Sequence, residues 1–150
     1  MAGVQYTVDG EGFAEATARL RALADGFATA ETYDRIGSLV TGQTQQRVAT
    51  DKAAPDGARW PGWSPAYGAT RHAGQSLLQA DGHLVDSIQQ VIEGDELRVG
   101  TNLVYGAIHQ FGGAEVGKPG LPARPYLGLS PDDAAAIEGL VEDRLRMLLA

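Results

Sequence analysis

A stretch of 25 residues, KAAPDGARWPGWSPAYGATRHAGQS at positions 52–76, interrupts every periodic pattern in the chain. It holds three Pro and four Gly, residues that helix interiors and central strands reject because proline removes a donor and glycine costs backbone entropy. Loops of this length inside a compact domain are uncommon, and those that occur are usually functional or disordered. Both tryptophans of the protein, Trp60 and Trp63, lie here together with Tyr67, so a purely solvating linker does not explain the segment. Two readings stay open: the aromatics fold back to cap the chain's own core, or they anchor in a neighbouring subunit.

The flanks of this segment are periodic. Residues 1–9 alternate at Val4, Tyr6 and Val8 and predict a short strand. Phe13, Ala16, Leu20, Leu23, Ala24 and Phe27 recur at spacings of three and four, which predicts a helix with one stripe facing a partner element. A second helix follows, with Tyr33, Ile36, Leu39, Val40 and Val48 on one face and Gln43, Gln45, Gln46 and Arg47 on the other, closing near Thr50-Asp51. The two are expected as an antiparallel pair or one bent helix. Beyond the loop, Leu84 and Val85 suggest a short helix capped by Asp81 and ending near Ser87. Residues 88–93 and 96–100 read as a hairpin across Gly94-Asp95.

Residues 103–113 place Val104, Ala107, Ile108 and Phe111 at helical spacing, with Gly112 as the stop. A second Gly/Pro-rich loop covers 114–122, and ARPYLGL at 123–129 alternates like a final strand. Ser130-Pro131-Asp132-Asp133 combines an N-cap hydroxyl, a proline where helices accept one, and two carboxylates at the positive end of the dipole. Ile137, Leu140, Val141, Leu145, Leu148 and Leu149 then form the stripe of a closing helix. The expected fold is α+β, a single domain over 1–150: two N-terminal helices, a long central loop at 52–76, a small antiparallel sheet with a short helix, and a C-terminal helix.

Composition limits what this fold can do. Leu, Val, Ile and Phe make up 22% of the chain, only just above the roughly 20% floor below which highly charged chains stay unfolded, so the core should be modest. The absence of Cys removes disulfides, thiolate zinc sites, iron–sulfur clusters and cysteine nucleophiles. A net charge of −7 with only two lysines argues against sequence-independent nucleic-acid binding, which depends on neutralising phosphates. No apolar run approaches the roughly 20 residues of a bilayer span, so a soluble, unanchored protein is expected.

Catalytic readings do not assemble. His72, His83 and His109 lie in unlike contexts without a carboxylate pattern, so no metal and no cofactor are expected. Ser64 or Ser130 could be paired with a histidine and an aspartate, but no G-x-S-x-G turn exposes a nucleophile and helix capping already accounts for Ser130. Gly112-Gly113 and Gly117-x-x-Gly120 lack the lysine of a phosphate loop and read as turns. The acidic pairs Asp95-Glu96, Asp132-Asp133 and Glu142-Asp143 read as solvated charge. The segment around Arg124-Pro125-Tyr126 is either an edge strand blocked by its proline or a strand that docks on a partner.

Four blocks fall in a recognisable order: W-P-G-W-S-P from Trp60; T-R-x-x-G-x-S-L-L-x-x-D-G-x-L-x-D-S-I from Thr70; V-G-T-N-x-x-Y-G-A-I-H-Q-F-G-G from Val99; and L-P-A-R-P-Y-L-G-L-S from Leu121. Over about residues 30–145 the chain resembles the phage virion morphogenesis family, which holds the tail completion proteins of contractile-tailed temperate phages and the Mu-like G proteins. Two departures stand out: Gly106 where alanine is usual after the tyrosine, and Tyr126 where phenylalanine is usual.

The resemblance implies a non-enzymatic virion component, assembled in the bacterial host cytoplasm, that completes the tail and joins it to the head. It implies a ring, expected to be sixfold, at the neck between tail tube or terminator and connector. The ring is expected to form through the 52–76 loop and a sheet edge near Arg124–Leu127. Partner contacts are expected at Trp60, Trp63, Tyr67, Tyr105, His109, Phe111, Arg124, Pro125 and Tyr126. The alternatives are a head-side neck adaptor and, from another class, a small accessory hydrolase with a deep pocket holding a histidine within reach of a carboxylate.

Overall fold

The computed structural model describes residues 10–150; the strand expected at Val4, Tyr6 and Val8 lies outside the described residues. Helix α1 spans Gly10–Phe27, and α2 spans Ala30–Gln46. Thr29 separates them and caps α2, its hydroxyl accepting the Thr32 amide at 3.3 Å. α1 does not pair along α2. Its last turns lie on the closing helix α6, Pro131–Leu149, where Arg144 Nη2 donates to the Gly26 carbonyl at 3.0 Å and so places a cation at the negative end of α1. Earlier in α1 the stripe residue Leu20 is 68% exposed.

α2 keeps its expected apolar face only in part: Tyr33, Ile36, Leu39 and Val40 are half-buried, and so are Gln43 and Gln45. Its buried residues are Thr32, Gly37 and Thr44, and Arg47 and Val48 are buried in the π-helical turn Arg47–Asp51 that follows. Gln45 is half-buried because it meets backbone, its Nε2 donating to the Val85 carbonyl at 3.3 Å, while Gln46 is exposed. The π turn closes when the Lys52 amide donates to the Arg47 carbonyl. Lys52 itself adopts a left-handed backbone, φ 54°, which costs about 1–2 kcal/mol for a residue with a Cβ. Its ammonium offsets that cost by donating to Val48 O at 2.5 Å, Leu77 O at 2.9 Å and Gln79 Oε1 at 3.3 Å, and burial lowers its pKa from the ordinary lysine value.

The central segment opens with an isolated bridge between Ala53 and Arg59 and contains the short helix α3, Pro65–Gly68, capped by Ser64 with proline at its start. Helix α4, His83–Ser87, follows. Its N-cap is Gly82 in a left-handed conformation and no side chain caps it, so Asp81 does not play the expected part: the chain turns through a positive φ that glycine alone accepts readily. Strands β1, Gln89–Glu93, and β2, Glu96–Gly100, pair antiparallel with Glu93 opposite Glu96. The hairpin lies on α2 where Gly37 has no side chain. A Cβ there would collide with Gln90 and Leu97.

Helix α5, Val104–Phe111, ends at Gly112. The final strand expected at 123–129 does not form. That segment is extended but has no ladder partner among the described residues, and side chains satisfy its backbone instead. Gln110 Oε1 accepts the amides of Tyr126 and Leu127, both at 3.0 Å, and Arg47 donates to the carbonyls of Tyr126 at 2.7 Å and Gly128 at 3.3 Å. α6 begins with the expected capping box at Ser130 and Asp133. Asp133, however, is not a solvated charge: it is 7% exposed and bonded to Arg47 at 2.5 Å. Helices and a single hairpin, apart along the chain, make an α+β architecture around a small core of Val48, Trp60, Leu84, Ile88 and Tyr126.

The two departures from the family pattern touch each other. Burial pushes the Tyr126 phenol up, so it stays protonated and donates to the Gly106 carbonyl at 3.1 Å. A Cβ on Gly106 would sit 2.8 Å from that hydroxyl and 2.5 Å from the Thr101 methyl. The Tyr126 hydroxyl thus occupies space that a methyl on residue 106 would need. Chemical denaturation of a double-mutant cycle checks this: Gly106→Ala should destabilise by about 1–3 kcal/mol through overpacking, and adding Tyr126→Phe should recover part of that loss, giving a total smaller than the sum of the singles.

Candidate functional site: an aromatic, cationic cleft

The sequence W-P-G-W-S-P folds as a latch. Trp60 is 6% exposed, and its indole Nε1 donates to the Pro125 carbonyl at 2.8 Å. In return Arg124 donates from Nε to the Pro61 carbonyl at 2.8 Å and from Nη2 to the Gly62 carbonyl at 2.9 Å. Each segment therefore hydrogen-bonds the other's backbone. Proline-rich chain suits this geometry because its carbonyls are not engaged in a helix or ladder.

Beyond the latch an open cleft of about 790 Å³ lies between the central segment and the α5 and 119–124 side. Five of the nine residues expected to bind partners line it: Trp63, Tyr67, Tyr105, His109 and Arg124. Trp63 meets Tyr67 edge to face at 6.0 Å between centroids, and Arg71 lies over the Tyr67 ring at 4.4 Å. On the opposite wall Tyr105 and His109 meet edge to face at 5.8 Å. The other four do not face the cleft. Trp60 and Tyr126 belong to the core and Pro125 to the latch. Phe111 is 79% exposed, as Val104 is at 90%, on the outer side of α5. For Trp60 the core-capping reading holds, and for Arg124–Leu127 there is no sheet edge to offer a partner.

Arg124 sets the electrostatics. It is 7% exposed and makes no ion pair among the described residues; its Nη1 has no hydrogen-bond partner there either. Burial draws its pKa down, partly offset by the nearby Tyr67 phenol, yet a guanidinium stays charged. Burial first, and then the Arg124 charge, hold the His109 imidazole below its ordinary value of 6.5. His83 and Arg71 also line the cleft, whose only carboxylate residue is Asp81. No hydrogen bond joins a histidine to a carboxylate or serine hydroxyl among the described residues. Ser64 caps α3, and Ser76 bonds Gln79. Among the described residues no group of three His, Cys, Asp or Glu side chains is placed to hold a metal ion, and no helix is long and apolar enough to cross a membrane.

Sequence reasoning missed Arg71, although it stands inside the T-R-x-x-G block, and it missed Gln110, the residue that pins 126–127. Arg47 carried no signal, since an arginine among glutamines reads as a solvated face.

The sequence places this chain with a known class of phage assembly proteins. Residues 8–146 match the model of the phage virion morphogenesis family, and the chain belongs to that family. It is 42% identical over 69 residues to Mu-like prophage FluMu G protein 2 of Haemophilus influenzae, covering 45% of this chain and half of that protein. It is 34% identical over 106 residues to protein G of Escherichia phage Mu, which is named for capsid assembly, covering 65% of this chain and 68% of that one. No solved structure matches the chain.

His109 gives the cleft a pH signature. Between its depressed folded value and the ordinary 6.5, the unfolded chain takes up a proton that the folded chain refuses. Stability is therefore fully present above pH 6.5 and declines as pH falls toward the folded value. Thermal denaturation from pH 7.5 downward should show a steeper loss for the native protein than for His109→Gln; parallel curves would contradict the assignment.

Proposed function

We propose that this protein is a structural virion component that completes the phage tail and joins it to the head, assembling as a ring, sixfold by expectation, at the neck between tail tube and connector. Membership of the virion morphogenesis family supports a structural or assembly role. The observation that carries the partner-binding part is the convergence of Trp63, Tyr67, Tyr105, His109 and Arg124 on one open cleft. Aromatic and arginine side chains of this kind dominate protein interfaces, and here Arg124 bonds backbone carbonyls and the rings meet edge to face, with no acid–base relay among the described residues. The protein acts by binding, not by catalysis.

The name of the phage Mu relative, which refers to capsid assembly, favours a second reading: a head-side neck adaptor. Cross-linking within particles separates the two, since a tail-side ring reaches the tube protein and a head-side adaptor reaches the connector.

Electron microscopy of a lysate lacking this protein should show filled heads beside separate or unfinished tails. Defective heads with complete tails would favour the head-side reading, and normal infectious particles would contradict both. Trp63→Ala with Tyr67→Ala should cut incorporation into particles about tenfold or more, as loss of interface anchors does, while leaving the circular dichroism of the isolated protein unchanged. Trp60→Ala should instead unfold it, because that side chain lies in the core.

A further inference from the structure

The cleft is cationic on a chain whose formal charge is −7. Buried Arg124 lacks a carboxylate partner, and Arg71 stands at the Tyr67 ring. Such a site favours an anionic occupant, because a desolvated guanidinium gains most from a charged acceptor. Its concave shape also calls for something that projects.

The same chain carries a matching projection. At the β1–β2 turn, Glu93, Gly94, Asp95 and Glu96 are all exposed, and three of the four are acidic. Arg98 neutralises part of this charge, bonding Glu96 at 2.8 Å and Glu93 at 3.2 Å; Asp95 has no ion-pair partner among the described residues. The hairpin is held rigid from behind, where Gln90 Nε2 donates to Asp34 at 2.7 Å and Gly37 admits close approach. None of the four tip residues lines the cleft of its own chain.

We propose that the cleft of one copy receives the acidic β1–β2 tip of another copy, Asp95 facing Arg71 and Arg124. This rests on the reading of the protein as a self-assembling ring. Cleft and tip are different surfaces, so the contact is head-to-tail, the kind that closes into a ring when the rotation permits. It also reconciles assembly with the overall negative charge: copies repel at long range and attract only when tip meets cleft.

The absence of Cys makes the test clean. Particles carrying Arg71→Cys together with Asp95→Cys, treated with a bifunctional thiol cross-linker, should give a ladder of multimers ending at the ring size. Each single-cysteine variant should give no ladder. A dimer from Arg71→Cys alone would show a twofold contact and overturn the proposal, as would cross-linking of the 71 position to a different virion protein. A lysine- and carboxylate-directed cross-linker provides the control: if it links copies while the 71/95 pair does not, the tip–cleft contact falls and the ring stands, and if neither links copies, both fall. A charge exchange adds a readout independent of cross-linker reach. Arg71→Glu and Asp95→Lys should each lower infectious titre about tenfold, as juxtaposed like charges at an interface do, and the two together should restore it in part, since Arg124 still faces the new lysine; a combined loss equal to the sum of the singles would overturn the proposal.

Discussion

One buried ion pair holds the ends of the chain to its middle. Arg47, in the π turn after α2, meets Asp133, in the first turn of α6, with both side chains almost fully buried. The same Asp133 Oδ2 that accepts from Arg47 also accepts the Ser130 amide at 2.8 Å, so the ion pair and the helix cap share an oxygen. Arg47 spends its other guanidinium nitrogen on the carbonyls of Tyr126 and Gly128. Breaking such a pair by removing one partner costs about 3–5 kcal/mol because the survivor is left charged and dry. That is a large share of the roughly 5–15 kcal/mol by which small domains are stable, and the core here is small.

From that pair the order propagates to the cleft. Arg47 fixes 126–128, Gln110 fixes 126–127 from α5, and the latch between Trp60–Gly62 and Arg124–Pro125 then ties the central segment down. The glycine- and proline-rich chain is thus not a free arm. Trp60 within it enters the core, while Trp63, Tyr67 and Arg71 line the open cleft. Arg124 belongs to both latch and cleft, holding the latch with two nitrogens while its charge faces the cleft.

Local rules were legible in the sequence where local physics decides the outcome. The hairpin over Gly94-Asp95, α5 with its Gly112 stop and the Ser130 capping box all follow from turn, stop and cap chemistry within a few residues. The burial of Arg47 and Asp133 and the absence of a strand at 123–129 were not legible, for one shared reason. Each depends on a polar side chain meeting a partner far away in sequence, as Arg47 meets Asp133 and Tyr126, and periodicity treats such residues as solvent-facing. The aromatic cleft was half legible: residue types pointed to Trp63, Tyr67, Tyr105, His109 and Arg124, but only the fold separates these from Trp60 and Tyr126, which have the same chemistry and serve the core.

Whether the 124–127 segment is pinned within each chain before assembly is the point on which the division between scaffold and contact surface turns. Hydrogen–deuterium exchange on the isolated protein measures it directly. The amides of Arg124, Tyr126 and Leu127, bonded to His109 O and Gln110 Oε1, should exchange as slowly as those in the middle of α2, and their protection should not change in the particle. Fast exchange at these three amides in the isolated chain, slowing only on assembly, would contradict it.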